Sequence, residues 1–388
     1  MPRARAGALE GVDVTDRLRI AIAAGGTAGH VNPALALAEC LRDRGHAVRF
    51  FGEERRLEGR LVPEAGFDFF PVHVTGFDRQ RPWTLATALA HLAHEERRLA
   101  KAFRDDADLA PDVAIGFGAY VELPLMRAAK RLHIPIALHE QNSVPGLANK
   151  QTARDAALIA IAQPSVKDVF LRAGAKEGAI RFTGNPVRRQ VLAGDRARGR
   201  TAEGVPEDGI LLVVFGGSLG AHHLNARMAQ LKDEILADPR VHVLHSTGAE
   251  DFEATRDALA LTPDEERRYH VQSYIDDMGD VLAAADLVLS RAGASSIAEI
   301  AALAVPAVLV PYPFATADHQ TTNAHLLTDA GAAVMFADAD IDGRPFADEL
   351  LGLLASADRR AEMRAAARGL NQAEAAEQLA DALEEIAR

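Results

Sequence analysis

The stretch RIAIAAGGTAGH, residues 19–30, decides the fold, because an apolar run ends there at a glycine turn that leads into a helical pattern. Such a run is typical of a buried strand, and residues 33–44 have the spacing of a helix with Pro33 near its first turn. The stretch ILLVVFGGSLGA, residues 210–221, repeats this order before a helical segment at 222–230. Each stretch therefore predicts the opening strand, turn and helix of a Rossmann-like domain.

Further apolar runs indicate that each opening unit continues as a parallel sheet. They lie at residues 48–51, 112–116, 136–139, 241–245, 287–290 and 307–310. We predict an α/β protein with a first domain at 17–187 and a second at 188–367, linked through the polar segment 184–209. The helical segment at about 368–388 can pack on either half, and we assign it to the first domain.

The composition restricts the classes of function. The chain has 388 residues, 48% of them hydrophobic, and a formal net charge of −12, which opposes nucleic acid as a partner. Its single cysteine, Cys40, excludes an intramolecular disulfide and fits a reducing cytoplasm. The first residues do not form a signal peptide, and no apolar run approaches the roughly 18 residues that span a bilayer. Any membrane contact is therefore expected to be peripheral.

The two glycine turns favour an anionic ligand, because backbone N–H groups and a helix N-terminus gather at each. The first lacks the spacing of dinucleotide sites and of Walker phosphate loops. His30 is the last residue of the first turn, and it is either a general base or a helix-start residue bonded to the backbone. In the second turn, Ser218 is interpreted as a donor to phosphate. Residues 216–220 also match the G-x-S-x-G pattern of hydrolases, for which Asp318 and His319 would have to complete a triad.

Two further polar clusters follow predicted strands. Residues 290–299, SRAGASSIAE, place small residues before a helix, and Glu299 has the chemistry to accept hydrogen bonds from a ribose. Alternatively, Ser296 and Glu299 form a capping box. Residues 139–142, HEQN, lie at the carboxyl edge of a parallel sheet, where ligands bind in such folds. No second set of ligands stands at metal spacing, so we predict no metal site.

Six motifs resemble, in order, those of the MurG family, the GlcNAc transferases of peptidoglycan synthesis. They are GGTAGHVNPALALAE, HEQNSVPGLANK, GNPVRRQV, GGSLGAHHLN, YIDDM and SRAGASSIAEIAA. The resemblance implies a GT-B fold, in which two Rossmann-like domains face each other across a cleft. It implies an inverting enzyme that moves GlcNAc from UDP-GlcNAc to the C4 hydroxyl of MurNAc in lipid I, undecaprenyl-pyrophosphoryl-MurNAc-pentapeptide, giving lipid II without a cofactor or an essential metal.

The resemblance also assigns roles to residues of this chain, with His30 as our candidate base. It implies that Thr27, Ala28 and Gly29 lie at the donor sugar and catalytic cleft, that Asn142 binds GlcNAc, and that Gln320 binds sugar hydroxyls. It implies that Arg188 contacts the donor, Ser218 the diphosphate and Ile275 the uracil. The residues implied along the nucleotide are Ala294, Ser295, Ser296, Ile297, Ala298 and Glu299, with Glu299 on the ribose. Ala28 and Leu219 depart from the glycine and glutamine that many members have there, so we assign no ligand role to Leu219.

A lipid-linked acceptor requires a membrane face, and residues 76–101 offer one. Apolar and basic side chains alternate there, which suits the anionic inner leaflet and predicts peripheral attachment to the cytoplasmic face of the cell membrane. The candidates are Trp83, Leu85, Arg79 and Arg81, with Leu89 and Leu92 further along. An ordinary amphipathic helix packed on the core would give the same pattern.

Two alternatives share the fold and the nucleotide half. One is a UDP-GlcNAc 2-epimerase or another GT-B relative, which would need neither a membrane face nor the two motifs GGTAGH and HEQN together. The other is a UDP-sugar-binding module without catalysis, which the presence of both His30 and Glu299 disfavours.

Overall fold

The chain folds into two domains, each built on a parallel β-sheet with helices on both faces. The computed structural model describes residues 17–74, 83–216, 221–315, 318–370 and 372–388, without the side chains of Thr84 and Leu85. The predicted α/β architecture with two Rossmann-like domains is confirmed.

Within these ranges, the first sheet has seven strands. They are β1 Arg19–Ala23, β2 Ala47–Gly52, β3 Asp68–Pro71, β4 Val113–Gly116, β5 Ile136–Glu140, β6 Leu158–Ile161 and β7 Ile180–Phe182. Their order is β3-β2-β1-β4-β5-β6-β7, with every neighbouring pair parallel. The strand order reverses between β1 and β4, and in open α/β sheets ligands bind in the crevice at such a point.

The helices of the first domain cover both faces of this sheet. They are α1 Ala28–Asp43, α2 Leu57–Glu64, α3 Thr84–Asp105, α4 Glu122–Arg131, α5 Leu147–Thr152 and α6 Lys167–Arg172. The last helix of the chain, α16 Ala375–Ala387, also belongs here, because Leu379 and Leu383 are buried in one core with Leu37 and Leu41 of α1. Arg44 adds hydrogen bonds to carboxylates of α16. The C-terminal segment therefore returns to the first domain.

In the described part of the second domain, the sheet has six parallel strands. They are β8 Ile210–Phe215, β9 Val241–Ser246, β10 Tyr269–Gln272, β11 Leu287–Ser290, β12 Ala307–Leu309 and β13 Ala333–Met335, in the order β10-β9-β8-β11-β12-β13. The helices around it are α9 His222–Leu236, α10 Phe252–Leu259, α11 Met278–Ala284, α12 Ala294–Ala302, α13 His319–Thr328, α14 Arg344–Ala355 and α15 Ala357–Arg368.

The segment between the two sheets is helical in part. It contains α7 Arg189–Leu192 and α8 Arg196–Ala202. Gly199 lets α8 approach the backbone of α11, since a Cβ there would lie 2.2 Å from the carbonyl oxygen of Asp280. The connection therefore packs on the second domain instead of forming an irregular loop.

The first helix starts earlier than the sequence predicts. α1 begins at Ala28, with Thr27 extended at its N-cap, and it continues through Pro33. The small residues Ala28 and Gly29 let the helix start directly after the glycine turn. The proline then costs one hydrogen bond inside the helix, because it has no N–H. As a result, His30 lies within the first helical turn.

Candidate active site

The first glycine turn is fixed by a buried carboxylate beneath it. Gly26 has a φ of 85°, a backbone conformation that favours glycine. Its N–H donates to the carboxylate of Glu58 on α2, which is 1% exposed, over 3.0 Å. A Cβ at Gly25 would lie 2.3 Å from Oε1 of the same carboxylate, so a larger residue would displace that carboxylate.

His30 is held by the residue that starts its helix. Its Nδ1 lies 2.8 Å from the hydroxyl oxygen of Thr27. Burial lowers the pKa of His30 to about 4, so the ring is neutral near pH 7. If Nδ1 carries the proton and donates to Thr27, Nε2 presents a free lone pair. The ring can then accept a proton from a hydroxyl group in the cleft.

Most of the HEQN segment serves to shape its own loop. His139 is fully buried with Nε2 3.1 Å from the carbonyl oxygen of Gly184. Gln141 is also buried and donates to the carbonyl oxygen of Phe117. Asn142 is half-buried, and it is the member of the segment with the most accessible side chain. The predicted sugar contact of Asn142 is therefore sterically open, whereas His139 is turned away from the cleft.

Glu140 organises the loop that follows. It is buried, and it accepts hydrogen bonds from the N–H groups of Asn142 at 3.1 Å and Gly146 at 3.0 Å. The side-chain amide of Asn149 donates to it over 2.9 Å. Burial raises the pKa of Glu140, and these three donors oppose that effect. Its carboxylate thereby sets the position of Asn142.

The two domains touch directly beside this loop. The N–H of Ser143 donates to Oδ1 of Asn323 over 3.1 Å, and its hydroxyl donates to the carbonyl oxygen of His319 over 3.0 Å. Asn323 also donates to the carbonyl oxygen of Ala292. The sequence pattern gave no signal for these contacts, because they join residues about 180 positions apart. They place the Asn142 loop next to α13.

The second domain presents the N-terminus of α12 to the cleft. The helix starts at Ala294, with extended Gly293 at its N-cap and no side-chain cap. The alternative interpretation of Ser296 and Glu299 as a capping box is therefore wrong, because both residues already lie inside the helix. The reason is that Gly293 takes the extended conformation that a helix start requires.

The residues predicted to line the nucleotide divide into two groups. Ile297 and Ala298 are buried in hydrophobic cores, so only their backbone could face a ligand. Ala294, Ser295, Ser296 and Glu299 are half-exposed. Burial raises the pKa of Glu299 to about 7. Its carboxylate is thus partly protonated near neutral pH in the absence of a ligand.

Gln320 joins the loops after two neighbouring strands. Its side-chain oxygen accepts the N–H of Ala292 at 3.1 Å and the N–H of Tyr312 at 2.9 Å. Both acceptor sites of the oxygen are then occupied, and the amide nitrogen is left to donate. This geometry suits the predicted bond from Gln320 to a sugar hydroxyl.

The remaining predicted ligands are Arg188, Ile275 and Ser218. Arg188 is engaged by Glu39 of α1, with 2.8 Å between the guanidinium and the carboxylate, so it closes the junction of the domains instead of pointing at a free site. The side chain of Ile275 is buried in the second-domain core, which leaves only its backbone for uracil. Ser218 lies outside the described residues.

The predicted membrane face is exposed in part. Trp83, before α3, is 70% exposed, and Leu89 is 47% exposed. Leu92 is wrong as a surface residue, because it packs on Leu123 and Ala148. Leu147, next to Ala148, is exposed. Arg79, Arg81 and the side chain of Leu85 lie outside the described residues.

A basic groove begins beside the apolar cluster of Leu92, Leu123 and Ala148. It has a volume of about 530 Å³ and runs between α3, α4 and α5. Its lining includes the cations Arg127, Lys130, Arg131 and Arg154 and the carboxylates Glu96 and Asp155, so four positive charges face two negative ones. Asp155 pairs with Lys130 and Arg154, and Glu96 pairs with Arg131. Leu123 belongs both to the groove and to the apolar cluster with Leu92. Apolar and cationic side chains are therefore contiguous on this face.

Two kinds of feature are absent from the described residues. No cluster of three or more His, Cys, Asp or Glu side chains is arranged to hold a metal ion within the described ranges. In those same ranges, no helix combines the length and the apolar character needed to cross a bilayer.

Two Rossmann-like domains whose strand-end loops meet across a cleft define a GT-B fold. The chain belongs to glycosyltransferase family 28: the N-terminal domain of that family matches residues 20–161, and its C-terminal domain matches residues 211–383. This membership confirms the resemblance stated from the six motifs.

Curated relatives are similar over almost the whole chain. The UDP-N-acetylglucosamine--N-acetylmuramyl-(pentapeptide) pyrophosphoryl-undecaprenol N-acetylglucosamine transferase of Salinibacter ruber is 41% identical, covering 93% of this chain and 95% of its own. The enzyme of the same name from Acetivibrio thermocellus is 33% identical, covering 95% and 98%. The similarity therefore extends over nearly the whole length of both relatives.

Solved structures agree on the fold. The crystal structure of Acinetobacter baumannii MurG aligns with a TM-score of 0.71 at 29% identity, over 95% of this chain and 99% of the other. A UDP-GlcNAc 2-epimerase from Neisseria meningitidis aligns with a TM-score of 0.69 but only 10% identity, over 95% of this chain and 100% of the other. The second likeness shows the shared fold alone.

Proposed function

We propose that this enzyme transfers GlcNAc from UDP-GlcNAc to the C4 hydroxyl of MurNAc in lipid I and so produces lipid II for peptidoglycan synthesis. The observation that carries the proposal is the similarity, over more than nine-tenths of each chain, to relatives named for this transfer. The His30 ring at the first glycine turn, with Nδ1 engaged by Thr27, and the half-exposed Glu299 on α12 support it physically.

Inversion at the sugar requires one in-line displacement. His30 takes the proton of the acceptor hydroxyl, which attacks the anomeric carbon as the bond to UDP breaks. Thr27, Ala28 and Gly29 surround this point, and Asn142 and Gln320 hold the sugar. The negative charge that develops on UDP needs fixed positive dipoles, which the N-terminus of α12 can supply.

We assign the nucleotide to the second domain. Glu299 would accept hydrogen bonds from the ribose, the first turn of α12 would lie along the nucleotide, and the backbone at Ile275 would meet the uracil. Ser218 would donate to the diphosphate. We propose that Arg188 acts on the donor indirectly, because its ion pair with Glu39 ties α1, and with it His30, to the second domain. We propose that no cofactor and no essential metal take part.

The lipid-linked acceptor implies work at a membrane surface. Exposed Trp83, Leu89 and Leu147 can enter the interface, while the cations of the groove between α3 and α4 attract anionic headgroups. We propose peripheral attachment of the first domain to the cytoplasmic face of the cell membrane, with the carboxyl edge of its sheet close to the lipid-borne sugar.

The proposal is tested by incubating the enzyme with radiolabelled UDP-GlcNAc and a lipid I analogue. We expect a lipid-linked disaccharide with inverted configuration, formed only when both substrates are present. Release of free GlcNAc without transfer would indicate a hydrolase. Conversion of the donor to its 2-epimer would indicate the alternative that shares the fold. Donor binding without any product would indicate a binding module.

A further inference from the structure

Buried carboxylates lie beneath three loops of the first domain that face the cleft. Each accepts at least one backbone N–H from the loop above it. The pairs are Glu58 with Gly26, Glu122 with Gly118, and Glu140 with Asn142 and Gly146. The loops follow β1, β4 and β5, which surround the reversal of the strand order. Nothing in the mechanism above uses Glu122.

Glu122 is the most confined of the three. Its side chain is 0% exposed at the start of α4, and its Oε2 accepts the N–H of Gly118 over 2.6 Å. A Cβ at Gly116 would lie 2.4 Å from the same oxygen, so the absence of a side chain at Gly116 leaves the room that the carboxyl group occupies. Its other oxygen, Oε1, is buried without a hydrogen-bond partner. An ionised carboxylate would be costly in that position.

Gly118 connects this group to the reaction centre. It has a φ of 86°, and a Cβ placed on it would lie 3.8 Å from Cδ2 of His30 and 3.0 Å from the side-chain nitrogen of Asn149. The residue whose N–H is held by Glu122 therefore lies close to the His30 ring. A shift of this turn would change the space available to that ring.

We propose that Glu122 is a positioning residue, and that its buried carboxyl group holds the Gly118 turn beside His30 during transfer. The inference rests on the proposed function. The acid is neutral because burial raises the pKa of Glu122 to about 8, and the nearby charge of Glu140 acts in the same direction. Burial also raises the pKa of Glu140, but three N–H donors oppose that effect there, whereas one donor, the N–H of Gly118, contacts Glu122. His30 and His139 are neutral near pH 7, because burial lowers the pKa of each to about 4.

The first test is the pH dependence of transfer in wild type and in Glu122→Gln, whose amide imitates the neutral acid. Ionisation would leave Oε1 as a buried charge without a hydrogen-bond partner, so we expect the carboxylate to leave this position and release the Gly118 turn. In wild type, kcat should therefore fall on the alkaline side, by about tenfold at one pH unit above the pKa of Glu122. In Glu122→Gln that fall should be absent and kcat at pH 7 nearly unchanged. The control is Glu177→Gln, which alters an exposed carboxylate paired with Lys167 and should keep the wild-type profile. An alkaline fall that survives in Glu122→Gln overturns the proposal.

The second test asks whether the group positions His30. Glu122→Leu removes the acceptor of the Gly118 N–H, so kcat at pH 7 should fall while the KM for UDP-GlcNAc stays constant. Gly116→Ala should act in the same direction, because its Cβ displaces the carboxyl group. Wild-type kcat in a folded Glu122→Leu protein, as judged by its melting curve, overturns the proposal.

An NMR measurement that does not depend on turnover separates this inference from the proposed function. The NMR signal of the His30 ring should move in Glu122→Leu and stay in place in Glu177→Gln. If wild type transfers no GlcNAc but the His30 signal moves, the proposed function fails and the positioning stands. If wild type transfers GlcNAc and the signal stays in place, the positioning fails alone.

Discussion

Donor binding should weaken as the pH falls from 8 to 6, because Glu299 must be ionised to accept two hydrogen bonds from a ribose. Burial raises the pKa of Glu299 to about 7 in the free enzyme. The ionised fraction then drops about tenfold between pH 8 and pH 6, equivalent to about 1.4 kcal/mol of binding free energy. The sign follows from the raised pKa, since protons compete with the donor in this range. The diphosphate of UDP-GlcNAc does not titrate there.

Calorimetric titration with UDP-GlcNAc at several pH values measures this effect. The Kd should rise by up to about tenfold from pH 8 to pH 6. In Glu299→Gln the Kd should be weaker at pH 8 and nearly independent of pH, because the amide has no proton to lose. The same pH dependence in wild type and Glu299→Gln would refute the role of Glu299 on the ribose.

Three further substitutions test separate parts of the site. His30→Ala should lower kcat by about 10²–10⁴-fold while the Kd for UDP-GlcNAc stays constant, and near-normal turnover would remove His30 from the mechanism. Gly25→Ala should lower the free energy of unfolding by roughly 1–3 kcal/mol in a denaturant titration, because its Cβ meets a buried carboxylate at 2.3 Å; Gly178→Ala, with open space around it, is the control. Changing Trp83 and Leu89 together to Gln should weaken binding to anionic vesicles at least about tenfold without changing the melting temperature. Unchanged vesicle binding would contradict the predicted membrane face.

The strands of both sheets were predictable where apolar runs end at glycines. The runs at 210–215 and 287–290 match the bounds of β8 and β11 as the structure has them. Strands β7 and β13 were not predicted, and in β7 the charged Arg181 interrupts the apolar run. The start of α1 was misplaced because Pro33 indicates a helix start, although this helix runs through it.

The site was predictable as a set of loops but not as a set of contacts. Strand ends and glycines locate the loops, since they are local features of the sequence. The carboxylate under the first turn stands 32 positions from Gly26, and the contact between Ser143 and Asn323 spans 180. No periodicity encodes such pairs. The same limit explains why Arg188 was assigned to the donor, whereas its partner Glu39 lies on the far part of α1.

The low pKa of His30 makes a further prediction about how the base is activated. With a pKa of about 4 in the free enzyme, the ring is neutral but a weak base. A negative charge about 5 Å away contributes about 3 kcal/mol at an effective dielectric constant of about 20. That energy corresponds to about 2 pH units in the titration of the ring. The diphosphate of the donor supplies such a charge, so the donor itself would strengthen the base that the acceptor needs.

NMR titration of the His30 ring, with and without saturating UDP-GlcNAc, measures this coupling. The midpoint should move up by about 2 pH units when the donor is bound. His270 is the internal control, because it lies on the edge strand β10 of the second sheet with its ring paired to Glu203, and its titration should not respond to the donor. A titration of His30 that is the same with and without donor would mean that the diphosphate lies too far away to act on it, and His30 would then orient the acceptor hydroxyl instead of taking its proton.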